Sequence, residues 1–305
     1  MLYTGNVNRF IFWILIPLLL ISYLAFRIIE WRYYDDGGRL KIAQQHSINL
    51  SNLNDINCLI LGGSNATFSL SAEQMSKEDG LNCYNLSLLN EGYSDEAYFT
   101  YISNLPIDRK QISYIFYSSI FPLADYKHLL KRLKNNEDKI GIRGDASFKL
   151  FGVSLASRLK NLLEGKSFTA SYIQYPYPTM KGDFNFELYD RCDPQSIESQ
   201  WSLTIKEIQL KKWIYKNISS IKNLFKKAEV YFVLPSMLQD NLNDHDFFSL
   251  SNFLQEEVTK QSVIYIEQSP FPTRDILCDG VHHANEAGRE IRTSDLLKLI
   301  SSFKN

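Results

Sequence analysis

A chain of 305 residues that is 45% hydrophobic with a formal charge of -1 can build one substantial core plus one attachment, and has no electrostatic reason to seek nucleic acid. The Lys/Arg clusters near 127–139 and 222–227 read as solvated helix faces, and neither a phosphate loop nor a dinucleotide fingerprint follows Gly62-Gly63. The five histidines, His46, His128, His245, His282 and His283, lack zinc-ligand spacing, so neither a metal nor a cofactor is expected.

Residues 10–26 carry no charge, and Ile28 and Ile29 extend the run past Arg27, whose stem can snorkel. That length approaches what a bilayer-spanning helix needs, and Pro17 is tolerable within it. With no small-x-small cleavage site behind it, the run reads as an uncleaved single-pass anchor over 1–30. Residues 31–55 read as a juxtamembrane helix and linker, and 56–305 as the domain proper.

Two signals bear on orientation and disagree. Arg9 is the only basic side chain before the run, whereas Arg27, Arg32, Arg39 and Lys41 follow it, which by the positive-inside rule leaves the domain in the cytoplasm. Four cysteines point the other way. Cys58 and Cys83 open predicted strands and Cys192 and Cys278 lie in loops, so two disulfides are conceivable in an oxidising compartment, against four buried thiols.

Strands are predicted at 57–61, 82–85, 113–117, 229–234 and 262–266, alternating with helical patterns at 91–104, 197–227, 250–260 and 284–301. Such alternation is the signature of a parallel sheet of about five strands covered by helices on both faces. In the second helical pattern, Trp201, Ile205, Ile208, Ile214, Ile218, Ile221 and Phe225 recur at helical steps and form one apolar stripe. Between the third and fourth strands runs an insertion, about 121–195, too long for an idle connection. It reads as a partly helical lining for a substrate groove, with aromatic side chains suited to sugar rings or simply to packing.

The first strand ends in Leu61-Gly62-Gly63-Ser64, which places Ser64 on a tight turn at the carboxyl edge of the sheet, where ligands of open α/β sheets gather. Ser71 and Gln74 then form a capping box for a helix over 71–79, closed by Gly80. Near the other end, Asp279 and His282 stand three apart just ahead of a helix, a spacing that can hold an imidazole beside a carboxylate. With Ser64 they supply the three roles of nucleophilic acyl chemistry: Ser64 as nucleophile, His282 as proton acceptor and donor, Asp279 as the group that fixes the tautomer. His283 reads as a loop residue or a supporting donor.

These residues give the chain a resemblance to the SGNH/GDSL hydrolase superfamily over about 57–300, interrupted by the insertion. Gly62-Gly63-Ser64 corresponds to its Gly-Asp-Ser-like block, with Gly63 in place of the acid, and Asp279-Gly280-Val281-His282, followed by Asn285 and Gly288, to its late block. The resemblance implies a flavodoxin-like three-layer α/β/α fold and an oxyanion hole built from three donors. Ser64 N–H is one, Gly92 (or its rival Asn90) the second, and an asparagine after the third strand is missing from Tyr117-Ser118-Ser119-Ile120, which leaves Ser119 or a backbone N–H to substitute. Loss of one such donor costs about 3 to 4 kcal/mol of transition-state stabilisation.

That departure resembles the branch containing envelope-polysaccharide O-acyltransferases and their accessory proteins, many tethered by one N-terminal helix. It implies an extracytoplasmic domain, an acylated glycan or acyl donor as substrate, and room for a membrane-bound acyltransferase partner. Three functions follow as expectations: a membrane-anchored serine acyltransferase or esterase acting on acyl groups of a cell-envelope glycan; a non-catalytic component of polysaccharide binding or assembly on the same fold; and a cytoplasmic-facing lipid esterase.

Overall fold

The structure is a computed structural model that describes residues 13–14, 16–18, 20–23, 39–88, 95–119, 176–189, 192–194, 207–235, 237–238, 244–280 and 282–304. Two compact units divide the chain: Met1–Lys41 with Arg143–Tyr175, and Ile42–Ile142 with Pro176–Asn305. In the first, the described part of the predicted anchor exposes its apolar side chains, Trp13 at 77% and Ile21 at 66% among them. No helix among the described residues is long and apolar enough to cross a membrane, and the rest of 10–26 lies outside them.

In the second unit all five predicted strands form and pair in parallel. They are β1 (Cys58–Gly62), β2 (Cys83–Asn85), β3 (Tyr114–Ser118), β4 (Glu229–Val233) and β5 (Ile264–Ile266), in the order β2-β1-β3-β4-β5. The order reverses between β1 and β3, so the crevice that parallel sheets use for ligands opens above the carboxyl ends of those two strands.

Side chains alternate across the sheet. Cys58, Ile60, Cys83, Phe116, Tyr231, Val233 and Ile266 pack one face against α2 (Ser64–Ser69), α3 (Ala72–Met75) and α7 (Glu286–Lys304), through Ala66, Ala72, Met75, Leu296 and Ile300. The other face carries Tyr117 and Tyr265, which meet α5 (Glu207–Leu224) and α6 (Asp244–Thr259): Asn217 Nδ2 donates to the Tyr117 hydroxyl at 3.0 Å, and Ser251 and Tyr265 hydroxyls lie 2.9 Å apart. On the β2 side, α1 (Arg39–Ser51) buries His46 against the Tyr84 hydroxyl at 2.9 Å, and burial lowers that imidazole's pKa to about 3. α4 (Asp95–Ser103) packs beside α5.

Four local expectations change. Ser64 opens a short helix instead of sitting on a turn, and the helix after Ser71 spans only Ala72–Met75. The capping box is half formed: Ser71 Oγ accepts from Gln74 N–H at 3.1 Å, but the Gln74 side chain reaches Ser294 Oγ at 2.7 Å on α7, and Ser71 N–H is taken by Thr293 Oγ1 at 3.0 Å. In α5, Ile214, Ile218, Ile221 and Phe225 are buried as predicted, whereas Ile208 is 73% exposed. It lies about a third of a turn off the stripe, and Leu210 with Trp213 fills that place; Trp201 and Ile205 lie outside the described residues.

The insertion returns to the sheet at Asp183, which is 1% exposed. Its carboxylate accepts from Ala72 N–H at 2.7 Å, Ser71 Oγ at 2.8 Å and Glu73 N–H at 2.9 Å, satisfying the first turn of α3 from a residue more than a hundred positions away. Burial raises its pKa, opposed by those N–H groups, the Arg289 charge and the Ser71 hydroxyl.

Two outcomes follow for stability. Gly62 has φ +148°, and a Cβ there would stand 1.7 Å from the Ser118 carbonyl oxygen, so Gly62→Ala should destabilise by more than about 3 kcal/mol in urea unfolding, or prevent folding. For Asp183, a folded pKa above the unfolded one means its contribution is full below about pH 4 and falls as pH rises through the folded pKa. The stability of wild type relative to Asp183→Asn should therefore increase on acidification from neutral pH.

Candidate active site

The edge above β1 and β3 is built from backbone that a side chain would obstruct. Without a Cβ at Gly62, β1 and β3 approach closely there, and the Gly62 N–H donates to the Tyr98 hydroxyl at 3.1 Å, which in turn donates to the Leu86 carbonyl at 3.1 Å. Gly63 then caps α2 in an extended conformation, its carbonyl accepting from Thr67 N–H at 3.0 Å. Ser64, the first residue of α2, is partly exposed, and its N–H belongs to the first turn, where helices offer donors without intrahelical partners.

Around it the buried side chains are small and polar. Asn65 Nδ2 donates to Ser118 Oγ at 2.9 Å, and Thr67 Oγ1 donates to Ser87 Oγ at 3.0 Å. Ser119 is 2% exposed at the end of β3. Gly92 and Asn90, the other expected oxyanion donors, lie outside the described residues.

The second half of the site comes from β6 (Leu277–Gly280) and β7 (His283–Ala284), an antiparallel hairpin that the sequence reading takes for a loop. Cys278 therefore stands on a strand, and it is disulfide-bonded to Cys192 on the returning end of the insertion; Cys58 is bonded to Cys83, its register partner across β1 and β2. Asp279 accepts on one carboxylate oxygen from His283 Nδ1 and on the other from the Tyr189 hydroxyl, each at 2.7 Å. Burial pushes the Asp279 carboxyl up, but the His283 hydrogen bond and charge and the Tyr189 hydroxyl outweigh it and hold the pKa below the usual carboxylate range.

Helix α2 meets this hairpin directly. The His283 ring stacks on Phe68 with centroids 4.4 Å apart and 14° between planes. Phe68 follows Ser64 by four residues, so the two side chains share one face of α2. The His282 ring is 7% exposed and lies edge-on to His283 at 4.3 Å; burial, then the His283 charge, carries its pKa well below the usual value. The structure thus brings the Ser64 helix against the Asp279 hairpin and couples Asp279 to the second histidine.

Neither Tyr189 nor the role of His283 is apparent from sequence. Tyr189 is 90 residues from Asp279 and no local pattern links them. His283 had one available signal, Gly280, where a Cβ would come within 3.1 Å of the His283 Nδ1. Beside the hairpin a cleft of about 480 Å³ is lined by Phe186, Tyr189, Cys192, Asn285 and, from α7, Glu286, Ala287 and Glu290. Among the described residues no cluster of His, Cys, Asp and Glu has the arrangement to hold a metal.

No protein-family model matches the chain, and no curated protein matches it significantly. Among solved structures, the periplasmic domain of a lipopolysaccharide acetyltransferase from Salmonella ser. Paratyphi A superposes with a TM-score of 0.43 at 11% identity, covering 88% of this chain and 96% of that one. A likeness of that degree assigns no chemistry to the side chains above.

The depressed pKa of Asp279 has the opposite consequence to that of Asp183. Its contribution is full above the unfolded pKa, near 4, and is lost as pH falls through the folded value. Urea unfolding of wild type against Asp279→Asn should give its widest gap near neutral pH and a narrowing gap below about pH 4.

Proposed function

We propose that this chain is a serine-dependent acyl-transfer enzyme in which Ser64 is the nucleophile, Asp279 the orienting acid, and one histidine of the Asp279 hairpin, His282 or His283, the base. The observation that carries the reading is the stack of Phe68 on His283, because it sets the helix that begins with Ser64 against an imidazole already bonded to a carboxylate. In this chemistry Ser64 Oγ adds to an acyl carbonyl as the imidazole takes its proton. The tetrahedral adduct collapses to acyl-Ser64, and the departing alcohol leaves with that proton. A second hydroxyl, from a sugar or from water, then repeats the sequence in reverse and frees Ser64.

The developing oxyanion needs donors at the carboxyl edge of β1 and β3. Ser64 N–H is the first, and Gly92, Asn90 and Ser119 are the groups the family pattern offers for the rest. Asn65, bonded to Ser118 Oγ, places an amide beside the position where the pattern's asparagine is missing.

For substrate and location we propose an acyl group, acetyl in the simplest case, on a cell-envelope glycan, with the domain held outside the cytoplasmic membrane by an anchor within residues 1–30. Two disulfides support an oxidising compartment over the cytoplasmic orientation that the flanking basic residues suggest. Exposed apolar side chains at Trp13, Leu18 and Ile21 support a lipid-facing segment.

The test is labelling of the full chain with a fluorophosphonate probe. Wild type should give one adduct, mapped to Ser64 by peptide mass analysis. Ser64→Ala should give none, and its hydrolysis of p-nitrophenyl acetate should fall by about a thousandfold or more with its unfolding transition unchanged. A folded wild type that takes no label at Ser64 would leave the fold serving glycan binding or assembly instead.

A further inference from the structure

We infer that His283, one residue beyond the position the family spacing selects, is the imidazole that works with Ser64, and that Tyr189 from the returning end of the insertion is the positioning residue for its acid. The inference rests on the acyl-transfer reading and names the residues that carry out its proton steps.

Asp279 is the starting point. Both of its oxygens are engaged, one by His283 Nδ1 and one by the Tyr189 hydroxyl, each at 2.7 Å. A carboxylate bonded to Nδ1 holds the proton on that nitrogen and leaves the lone pair on Nε2, the tautomer a general base requires. His283 Nε2 is buried and has no hydrogen-bond partner among the described residues. Buried polar nitrogens are nearly always partnered, and His282 Nδ1 shares this state; what distinguishes His283 Nε2 is the carboxylate bonded to the other nitrogen of its ring.

The ring has little freedom to turn elsewhere. Phe68 lies flat against one face at 4.4 Å, and the space beside Nδ1 exists because residue 280 is glycine. Phe68 follows Ser64 by four residues, about 6 Å along the axis, on the same helix face. When His283 accepts the Ser64 proton on Nε2 it becomes an imidazolium whose charge is met by Asp279 through Nδ1. His282 occupies the turn of the hairpin, buried beside His283 and outside the bonds to Asp279.

Tyr189 enters through the acid. Its hydroxyl donates to Asp279 and withdraws charge from the carboxylate, and the adjoining disulfide Cys192–Cys278 anchors the same returning segment to β6. Without that donor more negative charge faces Nδ1 of the ring, and the carboxylate holds the proton-carrying imidazole more strongly.

The experiment measures, on the full chain, the rate of fluorophosphonate labelling at Ser64 and of p-nitrophenyl acetate hydrolysis against pH for four variants. His283→Asn keeps an amide donor for Asp279 but lacks Nε2, and should lose about a hundredfold to ten-thousandfold in both rates, as should His283→Gln. His282→Gln should lose less than about tenfold and keep the wild-type pH midpoint. Tyr189→Phe should lose about tenfold and shift the midpoint upward, a change that lost packing alone would not produce. Near-wild-type labelling in His283→Asn together with its loss in His282→Gln would overturn the assignment while leaving the acyl-transfer reading intact. An unshifted midpoint in Tyr189→Phe would overturn the positioning role, and a wild type unlabelled at Ser64 would remove the reading itself.

Discussion

The Asp279 carboxylate joins three stretches of chain that are remote in sequence. It sits on β6, accepts from Tyr189 at the end of the insertion, and through His283 stacked on Phe68 reaches the helix that follows β1. A partly buried carboxylate is costly unless its lone pairs are met by strong donors, and here one donor can itself carry charge. Asp183, a few residues before Tyr189, supplies the contrast. Its main donors are the neutral N–H groups of Glu73 and Ala72, the Arg289 charge and the Ser71 hydroxyl contribute less, and burial wins, so its pKa moves up while that of Asp279 moves down. The two acids fasten the same returning segment, one to the first turn of α3 and one to the β6–β7 hairpin.

The edge they fasten it to is shaped by the close approach of β1 and β3 at Gly62, where the space for a Cβ is filled by the Ser118 carbonyl. Strands this close leave room above them only for short side chains, and Ser64, Asn65, Ser118 and Ser119 are all short. Each buried polar group there needs a partner, and the pairs Asn65 Nδ2 with Ser118 and Thr67 with Ser87 meet part of that need within the edge, while Asn65 Oδ1 is buried without a partner among the described residues. A rigid polar floor of this kind is what electrostatic stabilisation of an oxyanion draws on, since its dipoles need not reorganise during the reaction.

The parallel sheet was legible in the sequence because its evidence is local. β-branched apolar runs bounded by Gly, Asn and Asp gave all five strands, and the alternation with helical stripes gave their parallel sense. The α5 stripe holds from Ile214 onward and fails at Ile208, because a gap of six residues does not return to the same helix face. Ser64 was placed at the right edge, but its helix was missed: α2 has only six residues, too few for periodicity to register. Tyr189, Asp183 and the Cys192–Cys278 disulfide depend on where a long connection comes back to the sheet, and no pattern in neighbouring residues encodes that.

The shift from His282 to His283 has a cause in backbone geometry. A spacing of acid, two residues, then histidine suits a loop that turns back irregularly before its helix. Here the segment pairs with itself, Gly280 opposite His283, with an irregular register between Leu277 and Gly280. Pairing commits the residue after the turn to the strand and leaves His282 in the turn, while the irregularity turns Asp279 toward the side on which His283 lies. The acid and the imidazole, offset by one residue in the register, then meet at the hairpin through their own hydrogen bond. A histidine fixed in this way is aimed by the backbone on one side, by Phe68 on its face and by Asp279 at its edge, so little remains to be ordered when a proton moves.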